Sequence, residues 1–425
     1  MNGKRVKRID MGGEHMRLRE DADWIIGESI KKVLPDQAVL AALKDRPFAE
    51  GKIYLVAAGK AAWQMAKAAS EALKGRIERG VVVTKYGHVQ GEISGMACYE
   101  AGHPVPDENS FTGTQAALDL VSGLAERDTV LFLLSGGGSA LFEKPLISGE
   151  ELSDITGQLL ACGADIVEMN TLRKRLSAVK GGKFAKICEP AQVFSIILSD
   201  VLGDPLDMIA SGPACPDSAT SAQAVAVAEK YHLRLSKRAW ELLRQETPGE
   251  LTNVETQITG SVRNLCKAAA EACRKLGYET VVLTDELDCE AREAGAFLAS
   301  IARSHRNTGK SLAFIAGGET VVHLTGGGMG GRNQELVLAA ARGIAGLADT
   351  AVFSVGSDGT DGPTDAAGGY CDGHTREMLE AAGVDIYEVL RRNDAYHALE
   401  KAGGLIITGP TGTNVNDVAV LLIRR

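Results

Sequence analysis

The chain has 425 residues, 45% hydrophobic and 24% charged, with 49 glycines and 12 prolines. That balance excludes a collagenous, low-complexity or disordered protein, and the length is enough for two or three domains with cores of their own. A formal charge of −9 argues against nucleic acid or an anionic membrane as partner, while leaving room for a small anion held by a few local cations. No apolar run reaches the roughly 18 residues of a membrane span. The polar start shows no signal-peptide core, and residues 1–15 are read as a disordered leader or a mis-assigned start, with a better helical pattern opening at Met16. Eight scattered cysteines without a CxxC pair fit reduced, buried thiols in a cytoplasmic protein.

Short β-branched runs alternate with Ala/Leu/Glu/Lys-rich stretches along the chain. Strands are expected at 53–58, 81–84, 130–135, 193–198, 280–284, 312–317, 321–325, 351–356, 405–409 and 417–423. Helices are expected at 61–74, 110–125, 149–161, 262–276, 290–306 and 333–344. Near-continuous apolar strands between helices predict α/β architecture: two domains with mostly parallel, Rossmann-like layered sheets. Around Gly317 and Gly318 an antiparallel hairpin is expected instead. The polar stretch 231–256, with Pro248 and Gly249, marks the boundary between a domain at 16–245 and one at 246–425.

Glycine is well above its usual share of about 7%, and its placement is informative. Six strands run into Gly, Ser or Asp clusters: AAGKAA (57–62), SGGGSAL (135–141), SDVLGDP (199–205), AGGET (316–320), VGSDGTDG (355–362) and TGPTGTN (408–414). Ligands of open α/β sheets bind beyond the carboxyl ends of strands, where glycine lets backbone N–H groups approach an anion. Any one cluster reads as a tight turn; together they predict a ligand cleft between the domains. Ser135, Gly136, Gly137, Gly138 and Ser139 suit a phosphate cradle, with a flexible turn as the other reading. Lys60 ends a buried strand but lacks the Walker pattern, and is read as a phosphate or carboxylate contact.

The run Gly326–Gly331 formally matches GxGxxG and leads into Arg332 at a helix start, a placement that suits an anion. Asp200 and Asp204 flank one strand end, and Asp358, Asp361 and Asp365 crowd one loop. Such carboxylates hold Mg²⁺ or accept a hydroxyl proton, and also serve as caps and turns. The basic segment from Asn170 to Lys183 is either a solvated helix face or a rim steering an anion inward. His103 is a structural or a substrate contact. No metal-ligand histidine spacing and no GxSxG nucleophile appear.

The segments AAGKAA, LLSGGGSAL, NTLRKRLSAVKGGKFA, LSDVLGDPLDMIASGP, GGRNQELVLAAA and SVGSDGTDGPTDAAGG resemble the glycerate 2-kinases with a C-terminal MOFRL module, in matching order from about Met16 onward. The resemblance implies ATP-dependent, Mg²⁺-assisted phosphorylation of D-glycerate at its 2-hydroxyl by an interdomain site. It places the family's lysine and arginine on Lys60 and Arg332, with Asp200 as a third catalytic candidate. Ser135–Ser139 and Lys180 are then expected at the nucleotide. Asp204, Gly317, Gly318, Glu319, Asp358, Asp361 and Asn414 are expected at the substrate or metal, with Asp358 and Asp200 as metal ligands. A homodimer is the default assembly. The alternatives are an NAD(P)H-dependent hydroxypyruvate reductase, a label some relatives carry, and a non-catalytic sugar-acid sensor.

Overall fold

The computed structural model describes residues 13–425; the expected leader lies outside them as far as residue 12, and the helix Gly13–Lys32 takes in its remaining positions. The chain forms two compact units, Leu34–Ser261 on one hand and the chain up to Val33 with Val262–Arg425 on the other. Each contains one six-stranded sheet. Among the described residues no helix is long and apolar enough to cross a membrane.

The sheet of Leu34–Ser261 consists of β1 (Ile53–Ala58), β2 (Ile77–Lys85), β3 (Met96–Ala101), β4 (Thr129–Leu134), β5 (Gln192–Leu198) and β6 (Val254–Gly260). All five pairings are parallel, in the order β3-β2-β1-β4-β5-β6. This is the doubly wound Rossmann order, whose direction of progression reverses between β1 and β4. β1 and β4 are buried along their whole length because both faces carry helices. Val56, Ala58, Phe132 and Leu134 point to one core with Val121 and Phe184. Leu55, Ala57, Leu131 and Leu133 point to the other with Val39, Met65 and Ala66. Period-two alternation thus builds two cores from one central pair of strands.

The second sheet consists of β7 (Glu279–Leu287), β8 (Leu312–Gly318), β9 (Thr350–Gly356), β10 (Gly368–Asp372), β11 (Leu405–Ile406) and β12 (Asp417–Ile423), in the order β11-β10-β9-β12-β8-β7. Only β7 and β8 pair in parallel; β8–β12, β12–β9, β9–β10 and β10–β11 are antiparallel. The parallel expectation fails here because two-sided burial produces the same apolar runs whichever way strands point: β9, β10 and β12 are buried throughout. Residues 321–325 form no strand, only a bridge from Val321 to Glu290, so the hairpin after β8 is absent.

The compact units also divide the chain differently from the expected 16–245 and 246–425. β6 alternates in exposure as an edge strand and pairs with β5, which carries the first unit on to Ser261. The helix Gly13–Lys32 packs on the helix Val262–Lys275. Tyr278 donates to Asp21 at 2.6 Å, and Arg19 donates to the Leu405 carbonyl at 3.1 Å.

Candidate active site

The reversal of strand order puts a crevice beyond the carboxyl ends of β1 and β4. The loops found there are Gly59–Lys60 and Ser135–Ser139, and they interlock. Ser135 N–H donates to the Ala58 carbonyl at 3.0 Å, Lys60 N–H to the Gly136 carbonyl at 2.9 Å, and Ala61 N–H to Ser135 Oγ at 3.0 Å. Gly59 lies at φ 122, and a Cβ there would stand 2.2 Å from Ser135 Oγ. Only glycine permits two loops this close.

Around this pair stand the groups with chemistry. Asp200 follows β5 and lies against Gly136, where a Cβ would meet its Oδ2 at 2.3 Å. The same construction at Gly137 meets the His103 ring at 3.0 Å and the Lys60 stem at 3.2 Å. Lys60, Gly136–Gly137, Asp200 and His103 therefore share one place. Burial, then the charges of Lys60 and Lys85, hold the His103 imidazole below its ordinary pKa, so it presents a neutral ring at pH 7. Asp204 lies further along the loop in left-handed backbone, φ 52.

Lys180 is placed differently from the expected nucleotide contact. Its side chain is fully buried, 3.0 Å from the equally buried Glu143, and it donates to the Ser139 carbonyl. Burial lowers it to about 8, with Glu143 opposing and Arg173 assisting. It supports the serine–glycine loop from beneath. The basic run is likewise neither a solvated face nor a rim. Lys174 pairs with Asp217 at 3.0 Å and Asp207 at 3.2 Å. Arg175 reaches Asp217 at 3.4 Å, and Lys183 caps the carbonyls of Lys174, Arg175 and Ser177. These cations are spent on an internal network, as buried charges must be. Arg173 joins Lys180 at the loop, 3.4 Å from the Ser139 carbonyl.

In the second unit Arg332 opens the helix Arg332–Ile344. Its Nε and Nη2 bind the two oxygens of Asp417 at 2.5 and 3.1 Å, and its Nη1 binds Glu319 at 2.8 Å. Burial disfavours the guanidinium charge, but Asp417 and Glu319 outweigh it and hold the group above its ordinary range. Asp417 escaped sequence reasoning; its only signal is a charge opening the apolar strand DVAVLLI. Gly356 brings Asp358 into the same neighbourhood, a Cβ there standing 3.2 Å from Asp358 Oδ1 and 3.4 Å from Asp417 Oδ1. Asn414 is exposed on the loop before β12.

Three other expected contacts in this unit have internal tasks. Asp361 is buried and accepts from Asn333 N–H at 3.1 Å and Gln334 N–H at 2.9 Å. It thus fills the anion position at the helix start, and burial pushes it up to about 7. Gly317 and Gly318 allow close packing: a Cβ on either would stand 2.3 Å from Cys266 Sγ or 2.1 Å from the Leu287 carbonyl. The GxGxxG run has its amides engaged within the unit as well. Gly326 N–H bonds Asn393 Oδ1 at 3.0 Å, Gly328 N–H the Arg392 carbonyl at 2.9 Å, and Met329 N–H Asp394 at 3.0 Å. A dinucleotide fingerprint needs those amides free and a strand before them.

The first unit is thus a doubly wound α/β module whose switch point gathers a lysine, serine hydroxyls, closely packed glycines and a carboxylate. The family model named Domain of unknown function (DUF4147) matches residues 21–244, and the MOFRL family model matches 312–417. A D-glycerate 2-kinase of Thermotoga maritima is 53% identical, covering 96% of this chain and 98% of that protein. The crystal structure of a glycerate kinase from Thermotoga maritima superposes with TM-score 0.92 at 52% identity, covering 96% of this chain and 100% of that one. A protein of Agrobacterium vitis that carries a hydroxypyruvate reductase label is 38% identical, covering 98% of this chain and 97% of that protein. The chain belongs to the glycerate 2-kinase family, built from a DUF4147 module followed by a MOFRL module.

Proposed function

We propose that the protein transfers the γ-phosphoryl group of ATP to the 2-hydroxyl of D-glycerate, releasing 2-phospho-D-glycerate and ADP. The observation that carries this reading is the near-full-length likeness to a D-glycerate 2-kinase, joined to the gathering of Lys60, Ser135–Gly137 and Asp200 at the switch point. Phosphoryl transfer asks for positioning and charge stabilisation rather than a covalent group. In this reading Lys60 and Arg332 each supply positive charge to anionic substrate oxygens, and the hydroxyls of Ser135 and Ser139 with the amides of Gly136, Gly137 and Ser139 hold nucleotide phosphate oxygens. Asp200 orients the attacking hydroxyl and accepts its proton.

Mg²⁺ supplies further neutralisation of the phosphates when bound. The described residues contain no group of three or more His, Cys, Asp or Glu side chains able to cage a metal. In this reading the cation would keep water and phosphate ligands and take a carboxylate, for which Asp200 and Asp358 are the candidates. The reading includes a cytoplasmic enzyme, consistent with all eight cysteines being free thiols, and a homodimer as its default assembly.

The test runs two assays side by side. ADP release should require both D-glycerate and Mg²⁺, and NADH oxidation with hydroxypyruvate should stay at background. K60A should lower kcat by about 100-fold or more with an unchanged melting curve; R332A should lower kcat comparably and also lower the melting temperature, because it strips the buried Asp417 of its partner. Near-normal kcat in both variants would overturn the assignment. The reductase reading is disfavoured by the engaged amides of Gly326, Gly328 and Met329.

A further inference from the structure

Arg332 is held by two carboxylates of different character. Asp417 grips the Nε–Nη2 edge in a fork. Its side chain is 9% exposed, and its backbone is clamped in register between Gly318 of β8 and Gly356 of β9. A two-point, buried ion pair set by strand register does not let go readily. Glu319 grips the remaining Nη1 by a single oxygen at 2.8 Å. It stands just past the end of β8 with its side chain 46% exposed. Its other oxygen accepts from Asn416 Nδ2 at 3.1 Å. A half-exposed, one-point pair contributes little net free energy and is screened by solvent.

We propose that Glu319 is a placeholder carboxylate. In the unliganded enzyme it occupies the anion position on the outer edge of Arg332, and it yields that edge to an anionic oxygen of a substrate, while Asp417 remains as the fixed partner. The chemistry of the exchange is like for like: a carboxylate oxygen and a phosphoryl or glycerate oxygen compete for the same N–H donors. Glu319 thereby keeps the guanidinium compensated between turnovers and sets a threshold that stray small anions must exceed. This inference rests on the proposed role of Arg332 as an anion contact.

The experiment removes the charge with E319Q, which keeps an oxygen able to accept from Arg332, and measures kcat and KM for ATP and for D-glycerate. The expected result is a fall of about two- to fivefold in KM for one of the two, the factor by which losing a half-exposed ionic competitor favours its rival. The substrate whose KM falls is the one that displaces Glu319. Unchanged or raised KM for both would overturn the proposal, and so would a raised KM accompanied by a lower melting temperature, the signature of a purely structural tether. A second arm titrates inorganic pyrophosphate into wild type and E319Q by calorimetry. Tighter binding to the variant supports the placeholder, and equal or weaker binding refutes it. If the wild type turns over no glycerate, the kinase reading fails while the pyrophosphate arm still decides the placeholder. If E319Q melts below the assay temperature, E319S is read by the same criteria.

Discussion

Gly136 faces Asp200 so closely that a Cβ would lie 2.3 Å from Oδ2. G136A therefore has to displace either the carboxylate or the loop. The core beneath, from β1 and β4, is untouched, so the expected outcome is a melting temperature within about 3 °C of wild type and a kcat reduced at least about tenfold. Steady-state kinetics beside a thermal melt checks both. At this scale the residue types of the candidate site were readable from their recurrence, since lysine, serine, glycine and aspartate gather at several strand ends of one chain. What the sequence could not distinguish is a charge facing a ligand from a charge facing its own protein. Lys180 and Lys60 both sit beside glycine-rich segments, yet Lys180 is fully buried against Glu143 while Lys60 is only partly covered. Burial is a property of the packed neighbours, and no spacing rule encodes it.

The helix Arg332–Ile344 illustrates the next scale. A helix start with free amides attracts an anion, and the anion here is the protein's own Asp361, bonded to Asn333 and Gln334. Burial raises this carboxyl from 3.8 to about 7. Between these values the folded state holds a proton that the unfolded chain has released, so stability should fall as pH rises from about 4 to 7 and level off above. D361N has no such proton to lose. Its melting temperature, measured at half-unit pH intervals, should lack that slope; an identical slope in wild type and variant would reject Asp361 as its source. The helix itself was legible within a residue from its apolar period. The glycine run before it was legible as a close approach, but the approaching group is the turn Arg392–Asp394, some sixty residues on in sequence. β6 escaped notice because an edge strand with a solvated face reads as a polar linker.

Across the whole molecule, the first helix belongs with the second half of the chain. Gly13–Lys32 lies against Val262–Lys275, and Asp21 bonds both Tyr278 and Arg424. Leu18, Ala22, Ile25 and Ile26 are buried. A chain beginning at residue 34 would expose that apolar surface. We expect its second-sheet unit to become protease-sensitive and to lose cooperative melting, while Leu34–Ser261 keeps its own transition. Limited proteolysis with mass spectrometry checks this, and a second unit as resistant as in the full chain would contradict it. Packing so distant in sequence leaves no local trace, which is why the division expected from composition, 16–245, differs from the compact unit Leu34–Ser261 at both ends.

Local patterning by itself determined most strands and the long helices, the α/β class and the strand-end clusters, since burial on two faces and helical periodicity are written residue by residue. It also carried enough of the ordered motifs to show the family resemblance. Tertiary structure alone decided the Rossmann strand order that makes Gly59–Lys60 and Ser135–Ser139 neighbours, the antiparallel build of the second sheet, and the pairing of Arg332 with Asp417 and Glu319. Those outcomes depend on which distant surfaces meet and which charges lose their water in meeting, and both are settled only when the chain is packed.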